Sequence, residues 1–195
     1  MYGKNAAGTG EPPFIDKKRQ LVMAGAFAEA VKNGECFSGA NQTGTVWTVG
    51  LATTNTGLCI ANPIGSGKVL SLLAAGYSEV VAPTGIADAW IATGYHASTD
   101  VALGVIGVAR NLKAGSAAGV GKVYTGATLP VAPTYTFPIM TGHTSAALST
   151  SAAPGLVMIK GLVALPPGAF AIIANFTIGV AVGAKGAILW QEVDE

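Results

Sequence analysis

Between Cys36 and Leu189 the chain carries only nine charged side chains, and this scarcity restricts the possible folds more than any motif does. Over all 195 residues Asp, Glu, Lys and Arg make up 11%, while half of the residues are hydrophobic; an ordinary soluble protein has ~25% charged residues. A compact monomer of this size exposes roughly 8,500 Å², so its charges are spread at about one per 400 Å². Either the chain sits in a membrane, or much of its surface is buried against other subunits.

The longest uncharged run in the C-terminal part, Gly161 to Ala184, is long enough to span a bilayer. It contains the turn-forming Pro166, Pro167 and Gly168, then Asn175 and Thr177, so a helix would break at its start and be polar at its middle. Two strands and turns are expected instead. The first nineteen residues lack the apolar core of a secretory signal. The net charge of +1 argues against both nucleic acid and an anionic membrane as partners. Cys36 and Cys59 lack CxxC spacing; they read as small buried hydrophobes, with one bridge as the alternative.

The distribution of charge divides the chain into residues 1–35, an arm with a helix, and residues 36–195, an apolar body. Residues 1–13, rich in Gly, Asn, Thr and Pro, suit an extended leader. From Asp16 to about Asn33, Leu21, Ala24, Ala28 and Val31 recur at spacings of three and four, with Phe27 beside them and Gly34 as a stop. This amphipathic helix either docks on the body or meets its symmetry mates.

After Cys36 short runs of Val, Ile, Leu, Thr and aromatics alternate with Gly, Pro, Asn and Ser. Val46–Leu51 alternates, placing Trp47, Val49 and Leu51 on one face, and Tyr135, Phe137 and Ile139 repeat the arrangement. Further strands are expected at 58–61, 69–74, 89–93, 101–108, 156–160, 170–174, 178–182 and 187–192. About ten short strands predict a mainly β fold, an antiparallel β-sandwich with an N-terminal arm and one helix. Gly142 to Pro154, without charge or large side chains, reads as a long surface loop or as packing against a neighbour.

No catalytic motif survives inspection. Gly65, Gly67 and Lys68 resemble a phosphate-cradling loop, but Asn62 stands where the first glycine belongs and Val69 lacks the hydroxyl that would hold magnesium. Gly121 and Lys122 fail in the same way, with Ser116 and Val123. Two histidines, His96 and His143, cannot supply a three-ligand metal site. A triad of His143, Ser145 and Asp100 lacks a GxSxG elbow, and a carboxylate pair from Glu79, Asp88 and Asp100 has no supporting pattern. No enzyme activity and no cofactor are expected. Lys17, Lys18 and Arg19, the densest charge cluster, either cap a solvated helix end or contact an acidic surface on a larger particle.

GLCIANPIGSGKVLSLLAAGYS at 57–78, LPPGAFAIIA at 165–174 and the closing AILWQEVDE resemble structural proteins of tailed-bacteriophage virions. The resemblance implies a tight turn through Asn62, Pro63, Gly65, Gly67 and Lys68, with Trp190 and Glu192 on the last strand. It also implies a jelly-roll-like sandwich that assembles as a homotrimer on a head or tail, in the virion, after assembly in the host cytoplasm. The partners would be copies of itself and the major capsid protein or other virion subunits. Lys17, Lys18, Arg19, Leu21, Phe27 and Val31 are the expected particle or oligomer contacts. The alternative is a tail or fibre module that binds a host-surface glycan through exposed Trp47, Trp90 or Tyr95.

Overall fold

The computed structural model describes residues 3–4, 10–11, 26–80, 87–102, 104–142, 155–177 and 183–195. In chain order the elements are β1 (Gly3–Lys4), β2 (Gly10–Glu11), α1 (Ala26–Asn33), β3 (Cys36–Ala40), β4 (Thr45–Val46), β5 (Thr54–Asn55), β6 (Cys59–Ala61), β7 (Lys68–Glu79) and β8 (Ala87–Tyr95). They continue with β9 (Val108–Asn111), β10 (Lys122–Tyr124), β11 (Ala127–Thr128), β12 (Thr134–Gly142), β13 (Gly155–Leu165), β14 (Ala169–Thr177) and β15 (Gly183–Asp194).

The fold is mainly β, as the texture predicts. One antiparallel sheet has the order β10-β6-β14-β8-β12; the other runs β13-β7-β15-β3-β9, with β4 also on β15. The long strands β7 and β15 pair from Ala184 opposite Glu79 to Asp194 opposite Lys68, and form the centre of the second sheet. Between the sheets lies the main core, which includes Trp47, Leu72, Tyr77, Ile91, Ile173 and Trp190.

Phe170–Ala174 is buried throughout rather than alternately. Ala171 and Ile173 face the main core, while Phe170, Ile172 and Ala174 join Cys59 and Ala92 on the other face, under Val101, Tyr124 and Leu129. A strand covered on both faces has no polar side, which explains its continuous apolar run.

The two glycine-containing turns expected at 62–68 and 166–168 form. Gly65 and Gly67 take φ of 72° and 66° in the link from β6 to β7, and Gly168 takes 85° in the link from β13 to β14. These left-handed values favour glycine. At Gly168 space adds a second reason, since a Cβ would lie 2.6 Å from the His96 carbonyl oxygen.

Helix α1 ends where Gly34 predicts: Gly34, at φ 79°, donates to Val31 O at 3.0 Å, and Glu35 N donates to Ala30 O at 2.9 Å. The expected start at Asp16 lies outside the described residues. The buried face differs from the expected stripe, because Ala28 is exposed and Ala30 instead packs on Cys36 and Leu73 with Val31 and Leu189 beside it.

Two expected strands are corrected. Val46–Leu51 is not one strand: β4 ends at Val46, Trp47 turns into the main core, Val49 is exposed, and Leu51 packs on the second cluster. There the indole packs against Gly57 and Gly186, and a Cβ on Gly186 would lie 2.6 Å from it. Among the described residues, Val101–Val108 makes only isolated bridges at Ala102 and Ile106, and the ladder begins at Val108. Here the chain leaves the second cluster for the edge of the other sheet, and it passes so close to Val123 that a Cβ on Gly107 would lie 2.7 Å from that side chain. The strand expected at 178–182 lies outside the described residues.

Candidate functional site

The phosphate-like loop is occupied by its own hydrogen bonds. Asn62 Nδ2 donates to Lys68 O at 2.6 Å and to Leu165 O at 2.8 Å, and Ser66 Oγ donates to Asn62 Oδ1 at 2.6 Å. Lys68 Nζ pairs with Asp194, whose carboxylate holds the ammonium pKa above its ordinary value. Asp100 accepts the Ile64 N–H at 2.9 Å. The loop is therefore a tied turn, as the resemblance implies.

The buried polar side chains Asn41, Asn55 and Glu192 also organise backbone. Asn41 bonds Thr43 O and Ala184 O, each at 2.9 Å, and accepts the Gly186 N–H. Asn55 and Gly57 exchange bonds of 3.1 and 3.2 Å. Glu192, only 9% exposed, accepts from Val120 N at 3.1 Å, Gly121 N at 2.9 Å and Trp190 Nε1 at 3.3 Å. By contrast, the fully buried Asn175 amide and the Trp47 indole N–H have no hydrogen-bond partner among the described residues.

Of the acids proposed from sequence, Asp88 and Asp100 do not converge. Asp88 lies at the start of β8 and Asp100 beyond its end, with about 23 Å of strand from Asp88 to Tyr95 alone. His96 accepts the Ser98 N–H at 3.4 Å; His143 and Ser145 lie outside the described residues. Among the described residues, no three His, Cys, Asp or Glu side chains are grouped as a metal site, and no helix is long and apolar enough to cross a membrane. Cys36 and Cys59 are free and buried in different clusters, and burial pushes the Cys59 thiol pKa up.

The three aromatics named for a glycan site separate. Trp47 is in the core, while Tyr95 and Trp90 stand on opposite faces of β8. Trp90 instead packs on Tyr135, with ring centroids 5.6 Å apart, and Tyr135 has a raised pKa from burial and from the nearby Asp88. Of the expected contacts, Phe27 is 42% exposed and Val31 is half-buried on α1, whereas Lys17, Lys18, Arg19 and Leu21 lie outside the described residues.

Two surfaces went unmarked by the sequence reading. On β13 Leu156, Met158 and Leu162 are 71%, 50% and 78% exposed. On the far side, Val108 on the edge strand β9 and the preceding Val105 and Ile106, which run alongside β10 of the other sheet, are 47%, 66% and 70% exposed, beside a groove of about 480 Å³ between β9 and β10. The signal for the first was present in GLVMIKGLVAL, where both alternating sets are largely apolar, so the outward set has no polar partner for water. Comparison of the chain with protein-family models, curated proteins and solved structures finds no match.

Proposed function

We propose that this chain is a non-enzymatic structural subunit of a bacteriophage virion, a homotrimeric capsid decoration or minor capsid protein. The observation that carries the reading is the pair of large apolar surfaces left on a thinly charged sandwich, because exposed patches of this kind mark interaction sites. The buried polar groups support it as well: Asn41, Asn62 and Glu192 spend their hydrogen bonds on holding turns and loops. Residues 1–35 would carry the particle contact through Lys17, Lys18 and Arg19, with the major capsid protein as partner.

Quantitative mass spectrometry of purified virions tests the proposal. The chain is expected at a fixed stoichiometry to the major capsid protein, and abundance in the lysate with absence from washed virions would sink it. Reversing Lys17, Lys18 and Arg19 to Glu should release the protein from particles without altering its fold; unchanged binding removes the arm from the scheme.

One observation favours the glycan reading: Trp90 and Tyr135 form an aromatic pair beside Asp88, which has one buried carboxylate oxygen without a hydrogen-bond partner among the described residues. Sugar-dependent quenching of tryptophan fluorescence that Tyr135→Ala abolishes would support it, and no response to host-envelope sugars would dismiss it.

A further inference from the structure

The two apolar surfaces lie on opposite sides of the sandwich: β13 and β9 end the order β13-β7-β15-β3-β9, about 19 Å apart across four strand spacings, and the second surface continues from Val108 on β9 to Ile106, which bridges Tyr124 of β10. A two-fold contact through either surface would leave the other in water. A head-to-tail contact of one against the other covers both, and it closes into a ring when the rotation allows.

Strand addition is not the mode of contact. The register of β13 against β7 jumps from Met158–Ala74 to Val163–Leu72, which inserts extra residues at Lys160 and Gly161, both left-handed at φ 54° and 81°. On the neighbouring edge β12 has two register shifts and Pro138. Bulges, an edge lysine and an edge proline are devices that block edge-to-edge pairing. What β13 offers is therefore a row of side chains.

We propose that Leu156, Met158 and Leu162 of one copy seat in the groove of the next copy, lined by Ile106, Val108, Ala109, Val123 and Tyr124. The volumes agree: about 480 Å³ accommodates three such side chains at the roughly 150 Å³ that an emptied large aliphatic site leaves. The areas agree as well. From their exposures each surface supplies on the order of 350 Å² of apolar area, so one contact buries about 700 Å², the apolar share of a stable interface of roughly 1,200 Å². Both rims are basic, with Lys160 on one side and Arg110 and Lys122 on the other. Salt should then tighten the association by screening the like charges.

This inference rests on the self-association in the proposed function and specifies its interface. The test uses the full chain as Leu156→Asp/Leu162→Asp and as Ile106→Asp/Val108→Asp, all at exposed positions, with circular dichroism to check the fold and light scattering to read the mass. Wild type should be a trimer, each variant alone a monomer, and an equimolar mixture a heterodimer, because the mixture restores one intact contact. A mixture that stays monomeric would overturn the head-to-tail contact, as would a monomeric wild type, a variant that still trimerises, or dissociation by salt; a wild-type dimer that only one of the two variants breaks would overturn it in favour of a two-fold interface. Absence from virions would defeat the virion reading alone and leave this contact standing.

Discussion

Replacing Glu192 by Ala would remove the acceptor for three donors at once: Val120 N at 3.1 Å, Gly121 N at 2.9 Å and Trp190 Nε1 at 3.3 Å. Bonds to a charged group contribute about 1.5–3 kcal/mol each, and a buried donor left unpaired costs about 1–3 kcal/mol. Water can reach the half-buried Val120, so the loss should come mainly from Gly121 and the indole, about 3 kcal/mol in all. For a chain of this size that corresponds to a fall in Tm of roughly 6–12 °C. Glu192→Gln keeps one oxygen but turns an amide NH₂ toward backbone donors, and should lose about half as much. Urea denaturation with matched m-values is the assay, and Trp190 fluorescence, from a ring stacked on Phe37 at 5.8 Å, follows the local change. The effect should extend to assembly, since Gly119 and Gly121 line the groove proposed to receive the next copy. If both variants stay within ~0.5 kcal/mol of wild type, the carboxylate does not hold this loop and the reasoning fails.

Gly186→Ala should cost about 1–3 kcal/mol, because its Cβ would lie 2.6 Å from Trp47 and 2.8 Å from Ile173 inside a packed core. Gly67→Ala has open space around it and should lose only the left-handed penalty of about 1–2 kcal/mol; a Gly186→Ala within ~0.5 kcal/mol of wild type in denaturant melts would contradict the packing argument. Asn175→Val should raise stability by about 1 kcal/mol, since it removes two buried polar atoms without partners among the described residues; a clear loss in the same melts would reveal an unrecognised role for the amide. Burial raises the pKa of Tyr124 and of Tyr135 above 10.0, with Asp88 adding to the second. Their contribution to stability is therefore complete below the unfolded tyrosine pKa and is lost as pH rises through the folded values. Ultraviolet titration should show two late phenolates, and Asp88→Asn should bring Tyr135 down; titration together with ordinary tyrosines would refute this.

Much of the fold was legible because its signals are local. Gly34 marks the end of α1 through a left-handed residue and two short-range bonds, and Pro167-Gly168 marks a turn for the same reason. Alternation and β-branched content disclosed most strands but misjudged Val46–Leu51, where the pattern is real and the destination of Trp47 is set by Gly57 and Gly186, ten and 139 positions away. The assembly surfaces were hidden for a related reason. Leu156 and Ile173 are both aliphatic residues in strands of apolar texture, yet one is 71% exposed and the other 1%.

By itself the sequence determined the class of fold, the turns and the shortage of charge, since each depends on residue type and near neighbours. Only the tertiary structure decided which strands are covered on two faces, which polar side chains hold loops, and which edges of the sheet carry bare apolar rows. Those outcomes depend on pairings between residues far apart in the chain, such as Leu189 with Ala74 or Trp190 with Phe37. Which face of a strand meets water is a property of these pairings, and no residue type specifies it.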